Sequence, residues 1–310
     1  MSSHKKNIIL HIGLYKTGST FIQSHYRSLK SDNYSIFFND NEIVNLLIKY
    51  LSNPNTEIKE KILNILQNEN SKKILISSSQ IFDHQFNHFK YCSKRFLLLE
   101  ELFNKPRYII FFREPSSIIY SNFIHGLQKS HSLKFENYID KNKNDLFNRS
   151  FYSPFARGLD YKIYNYNNIF KDYLNIQNRV LFVEYEKFFK EKNSNILDNF
   201  TELSVKFNFD KKINQSIKNL IYLEFYSNFL FFNFIKKIWI KFNGLFFRYR
   251  KAKDESLRLE LLINFLNKIT PKKYIKKIDD KHQNLLQEIK NYHSKNYIEF
   301  KNKINFLQKD

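Results

Sequence analysis

Glycine and proline are both scarce in this 310-residue chain, at five residues each. That excludes collagen-like repeats, Gly/Ser linkers and Pro-rich disordered segments. The single cysteine, Cys92, excludes a disulfide framework and any four-cysteine zinc site. Long apolar runs are missing too. The N-terminal residues lack the apolar stretch and small-residue cleavage site of a secretory signal. The longest uncharged aromatic run, Phe225 to Ile235, is too short for a bilayer, which needs about 20 residues. These absences lead to the expectation of a cytoplasmic protein in a reducing compartment.

Hydrophobic residues make up 42% of the chain, ample for a packed core. Lys and Arg number 51 against 30 Asp and Glu, a formal charge of +21. The last hundred residues hold 22 of those cations and 9 of those anions. Such a basic region suits an acidic substrate or an anionic membrane surface, and equally a solvated lysine-rich face. No nucleic-acid-binding motif accompanies it, so nucleic acid is not an expected partner.

Short, non-alternating apolar runs at Ile8–Ile12, Lys73–Ser77, Tyr108–Phe112 and Arg179–Val183 read as buried strands, with Tyr34–Phe38 a shorter one. Helical patterns separate them, including one long helix from Pro154 to Tyr173. The expected fold is α/β, a three-layer parallel sheet with helices on both faces. Residues 1–210 read as the core and 211–310 as a basic, helical extension packed on it. Within the extension, the aromatic and basic stretch Leu220 to Arg250 reads first as helix core. A peripheral, interfacial membrane contact is the second reading.

Two constellations carry chemistry. In the first, a strand enters the loop Gly13-Leu14-Tyr15-Lys16-Thr17-Gly18 and a helix opens at Ser19-Thr20. Loop N–H groups and a helix N-terminus form an anion cradle, two glycines allow close backbone approach, and Lys16 adds a charge. The spacing of Gly13 and Gly18 matches the frame of a nucleotide P-loop. The lysine that should follow the second glycine is replaced by Ser19, which removes the usual β/γ-phosphate contact of an ATPase. In the second constellation, Arg113 ends the strand Tyr108–Phe112 and Ser121 follows eight residues on, about two helical turns. A guanidinium and a hydroxyl so placed can grip one phosphate.

The pair of motifs resembles the sulfotransferases that use 3′-phosphoadenosine 5′-phosphosulfate (PAPS). His11 to Thr20 is similar to that family's 5′-phosphosulfate loop, and Arg113 to Ser121 to its 3′-phosphate motif. Phe155-Ala156-Arg157 and Val180 to Glu186 are similar to its later core, so the likeness covers about residues 7–205. The resemblance implies a P-loop-like fold and a metal-free transfer of a sulfuryl group from PAPS to an acceptor hydroxyl of a carbohydrate or glycolipid. It implies that Lys16 neutralises the bridging oxygen. Thr17, Gly18, Ser19 and Thr20 would hold the 5′-phosphate, with Gly13 shaping the loop, and Arg113 and Ser121 would hold the 3′-phosphate. Where many members carry a general-base Glu after a Ser-Ser pair, this chain has Gln80, and an amide cannot take a proton. His84 is the candidate base in its place, ahead of Asp83. His11 reads as packing at a strand end and His125 as lying on an exposed helix face. Two alternatives stand beside this reading: a P-loop kinase or NTPase, and a non-catalytic PAPS or nucleotide binder.

Overall fold

A computed structural model describes residues 6–29, 33–83, 85–128, 134–139, 159–192, 194–210 and 272–308. Of the segment 211–310, residues 211–271 lie outside it, as do His84 and Phe155-Ala156-Arg157. The chain divides into two units. One comprises Met1–Glu114, Lys162–Asn214 and His293–Asp310; the other comprises Pro115–Tyr161 and Gln215–Tyr292.

The first unit is built on five parallel strands: β1 (Asn7–Gly13), β2 (Tyr34–Phe37), β3 (Lys73–Ser77), β4 (Arg107–Phe112) and β5 (Val180–Glu184). Their order is β2-β3-β1-β4-β5. Helices α1 (Ser19–Tyr26), α2 (Glu42–Ser52), α3 (Thr56–Asn68) and α4 (Cys92–Phe103) connect the first four strands. Asn55 caps α3 by accepting the Ile58 N–H at 2.8 Å. Asn104 and Lys105, both left-handed, end α4 ahead of Pro106.

The apolar strands do not alternate with polar residues because both sheet faces are covered. On β4, Ile109 and Phe111 face a core that also holds Phe21, Ile22 and Tyr26 of α1 and Phe188 of α9 (Tyr185–Glu191). Leu197 of α10 (Asn195–Thr201) completes that face. On the opposite face, Tyr108 meets Phe96 of α4 at 6.1 Å between ring centroids. Tyr108 also meets Tyr173, at 5.0 Å. Phe112 and Phe182 both pack on Phe300 of the long C-terminal helix, at 5.2 and 5.6 Å. Each such fully buried aromatic or aliphatic side chain contributes about 1.5–3 kcal/mol.

One expectation is corrected. In the described part of Pro154–Tyr173 there is no continuous helix. Instead, a 3₁₀ turn at Tyr161–Ile163 precedes α7 (Tyr166–Ile169) and α8 (Lys171–Leu174). Tyr164, Tyr166, Phe170 and Tyr173 are all essentially inaccessible. Positions 164 and 166 would lie about 200° apart on one helix, so one amphipathic face cannot bury both. The break falls at Asn165, whose extended backbone and side chain cap α7 by accepting the Asn168 N–H at 3.3 Å.

The second unit contains α5 (Pro115–Gln128), α6 (Phe135–Tyr138) and the first part of α11 (Lys272–Leu307). Its aromatic centre is Phe123 against Phe135 at 4.8 Å, with the His282 ring 4.9 Å from Phe135. Among the described residues, no helix is long and apolar enough to cross a membrane.

Candidate functional site

The strand order decides where the site lies. The chain leaves β1 toward β2 and β3, but leaves β4 toward β5. The carboxyl ends of β1 and β4 therefore flank a topological switch point, where open α/β sheets take ligands. Gly13 pairs with Phe111 in register, so the loop after β1 and Arg113 after β4 emerge side by side.

The loop is tightly determined. A Cβ on Gly13 would stand 3.2 Å from the Phe111 carbonyl oxygen and 3.4 Å from its nitrogen, so a side chain there would crowd the β4 backbone. The Thr17 hydroxyl donates to the Leu14 carbonyl at 2.6 Å, closing the loop on itself. Thr17 is fully buried. Its hydroxyl proton is therefore spent within the loop.

Lys16 holds a left-handed backbone at φ 65°, which costs a non-glycine residue about 1–2 kcal/mol. Gly18 is also left-handed, at φ 85°, and a Cβ there would meet the Tyr185 ring at 3.0 Å and the Phe189 ring at 3.2 Å. Beyond Gly18, α1 begins with no acidic residue in its first turn. Its first N–H groups, at Ser19 and Thr20, have no acceptor within the helix, and the helix dipole favours an anion beside them. Thr20 is exposed and Ser19 half-buried, so both hydroxyls are at the surface of this cradle.

Arg113 is held from four sides. Its Nε donates to Glu186 Oε1 at 3.0 Å, and its Nη1 donates to the Lys16 carbonyl at 3.4 Å. Its guanidinium lies over the Tyr185 ring at 4.4 Å, and its own carbonyl accepts the Tyr166 hydroxyl. Glu186 Oε2 is buried with no hydrogen-bond partner among the described residues. Burial pushes the Glu186 carboxyl up from the ordinary range, and the backbone N–H groups of Glu186 and Glu114, with Arg113, oppose that only in part. Ser121 is half-buried in the second turn of α5, in the other unit.

The loop after β3 also lies in the first unit. His11 is buried, its Nδ1 is 2.7 Å from the Ser77 hydroxyl, and its ring meets Phe111 edge-on at 5.5 Å. Burial lowers its pKa to about 4, so it sits neutral in the packing, as its strand-end position suggests. Ser78 donates its N–H to the His11 carbonyl at 3.0 Å. Arg95 Nη1 then reaches the carbonyls of Gln80, Ile81 and Phe82 at 3.0, 3.2 and 2.7 Å, tying the loop down. Gln80 is exposed. Asp83 is buried and accepts the Tyr91 N–H at 2.7 Å and the Asn87 amide at 3.3 Å. Its carboxylate therefore anchors the following turn. His125 is half-buried on α5 rather than exposed.

Sequence reasoning missed Glu186 as the partner of Arg113, and missed Arg95. The two partners are 73 residues apart, and only the pairing of β4 with β5 brings them together. Among the described residues, no cluster of His, Cys, Asp and Glu is arranged to hold a metal ion.

No protein-family model matches the chain, and no curated protein sequence matches it. Among solved structures it is similar to the crystal structure of a sulfotransferase from Alicyclobacillus acidocaldarius. Sequence identity is 13%, the match covers 84% of this chain and 96% of that one, and the TM-score is 0.45. A likeness of that size adds nothing to what the site's own geometry says.

Proposed function

We propose that the protein transfers a sulfuryl group from PAPS to a hydroxyl of a carbohydrate or glycolipid acceptor. The observation that carries this reading is the meeting of two cationic anion-binding features at one switch point. The cradle of Lys16 to Thr20 ends β1, and Arg113, bonded to the Lys16 carbonyl at 3.4 Å, ends the adjoining β4. A ligand with two separate anionic groups fits that pair. A magnesium nucleotide fits it less well, because Ser19 stands where a nucleotide P-loop has its lysine.

PAPS would supply the sulfuryl group to be transferred. The N–H groups of Thr17, Gly18, Ser19 and Thr20, with the Ser19 and Thr20 hydroxyls, would hold its 5′-phosphate. Arg113 would take the 3′-phosphate, with Ser121 as the second ligand proposed from spacing alone. The Lys16 ammonium would neutralise charge that develops on the bridging oxygen. Catalysis of this kind rests on positioning and charge rather than on covalent chemistry by the protein. With Gln80 unable to accept a proton and Asp83 engaged in the turn, His84 is the proposed general base.

Thermal unfolding in the presence of adenosine 3′,5′-bisphosphate (PAP), or of ATP with Mg²⁺, tests the ligand. Stabilisation by PAP alone is expected; equal stabilisation by both would overturn the reading. Turnover of PAPS against a glycan panel tests the chemistry. It should collapse in Lys16→Ala, and turnover that survives the substitution would remove Lys16 from the mechanism.

A further inference from the structure

Arg113 has five N–H donors in a rigid plane, and the structure uses them unevenly. Its Nε–H is taken by Glu186 Oε1 at 3.0 Å, and Nη1 contacts the Lys16 carbonyl at 3.4 Å. The ring of Tyr185 at 4.4 Å covers one flat face of the guanidinium. Together these contacts fix the plane's tilt and its rotation about the side-chain axis. The Nη edge is then the edge left for a ligand.

The arrangement is costly. A half-buried carboxylate stands beside a proposed phosphate site, where like charges repel. One of its oxygens is buried without a hydrogen-bond partner among the described residues, and burial already disfavours its charged form. Charge attraction for an anion would be better served by an unpaired arginine. What the glutamate supplies is an acceptor in a fixed place.

We propose that Glu186 is a positioning residue, which aims the Nη edge of Arg113 at a phosphate monoester and thereby sets preference for a 3′-phosphorylated nucleotide over its 3′-hydroxyl counterpart. This rests on the PAPS reading above and adds to it the residue responsible for that selectivity. Glu186 acts only through Arg113 and the acidic form of its side chain is not required: an amide oxygen in the same place accepts the same Nε–H.

The test measures affinity for PAP and for adenosine 5′-monophosphate by calorimetry, with full-length protein. The probes differ by the 3′-phosphate alone. Wild-type protein is expected to prefer PAP. Glu186→Ala should lose about tenfold in PAP affinity, which is about 1.4 kcal/mol, and leave the monophosphate unchanged. Glu186→Gln should restore PAP affinity to the wild-type level or tighter, since it keeps the acceptor and removes the repelling charge. Glu186→Leu provides a second variant without an acceptor, close to Glu in size, should the alanine form fold poorly. Tighter PAP binding by the alanine or leucine form would show that Glu186 competes with the phosphate, and would overturn the proposal. Equal loss for both nucleotides, or no rescue by glutamine, would show a merely structural role and overturn it also. Wild-type protein that does not distinguish the two nucleotides would overturn the PAPS reading itself. A wild type that distinguishes them, beside an alanine variant whose preference for PAP is undiminished, defeats only the role given to Glu186.

Discussion

Gly18→Ala separates the ligand cradle from an ordinary strand-to-helix turn. The residue sits at φ 85°, where an L side chain costs about 1–2 kcal/mol. The new Cβ would also stand 3.0 Å from the Tyr185 ring and 3.2 Å from the Phe189 ring, both closer than packed carbon atoms normally approach. Overpacking of that kind costs about 1–3 kcal/mol, less where ring edges can swing aside. The two effects together predict a loss of roughly 2–5 kcal/mol in urea unfolding. Function should suffer through a second route. Tyr185 is also the platform beneath the Arg113 guanidinium, at 4.4 Å, so a ring displaced by the Cβ carries the arginine with it. PAP affinity should therefore fall by more than tenfold even in conditions where the variant is fully folded. Gly18→Asn divides the causes. Asparagine tolerates the left-handed region but keeps the Cβ, so it should recover about 1 kcal/mol of stability and little of the binding. A Gly18→Ala protein within 0.5 kcal/mol of wild type, with unchanged PAP affinity, would refute both the strain and the platform arguments.

Three further outcomes follow from the same region. Lys16→Gly should gain up to about 1 kcal/mol of stability by relieving the left-handed backbone at φ 65°, yet lose PAPS turnover as fully as Lys16→Ala, which gains no stability; equal stabilities would show that Lys16 is not strained. His11 is buried neutral with a pKa of about 4 against 6.5 when unfolded, so its stabilising contribution is complete above pH 6.5 and is lost as pH falls toward 4. Between pH 7 and pH 5 that amounts to roughly 2 kcal/mol, which His11→Asn should abolish; identical pH slopes of urea stability in the two proteins would contradict it. Arg95→Ala should free the carbonyls of Gln80, Ile81 and Phe82, speed amide exchange across residues 78–83 and lower kcat more than PAP affinity, and unaltered exchange there would refute the tethering role.

Much of the first unit is readable from local pattern. Strands such as Tyr108–Phe112 are uniformly apolar because both faces are covered, and that pattern distinguishes a parallel, doubly covered sheet from a half-exposed one. The Pro154–Tyr173 segment shows where the same reasoning fails. Tyr164 and Tyr166 are both buried, which one face of a single helix cannot achieve, and only that tertiary burial reveals the break at Asn165. Asp83 is a similar case. Proximity to Gln80 made it a candidate base, whereas its hydrogen bonds from Tyr91 and Asn87 assign it to the turn.

For the site, glycine at 13 and 18, Lys16 between them and Arg113 at a strand end are local features, because phosphate cradles need particular residue types at fixed short spacings. In a chain with five glycines, two within six residues are a strong signal. The tertiary structure alone decided that these features lie side by side, at the carboxyl ends of two paired strands. The order β2-β3-β1-β4-β5 seats Gly13 against Phe111 and β4 against β5. From that order come the backbone that crowds any side chain at Gly13, the Tyr185 ring behind Gly18 and the Glu186 carboxylate on Arg113. Strand order is set by which buried surfaces best cover one another across distant segments. No local periodicity encodes that choice, which is why the proposed anion-binding residues could be named from the chain and their supports could not.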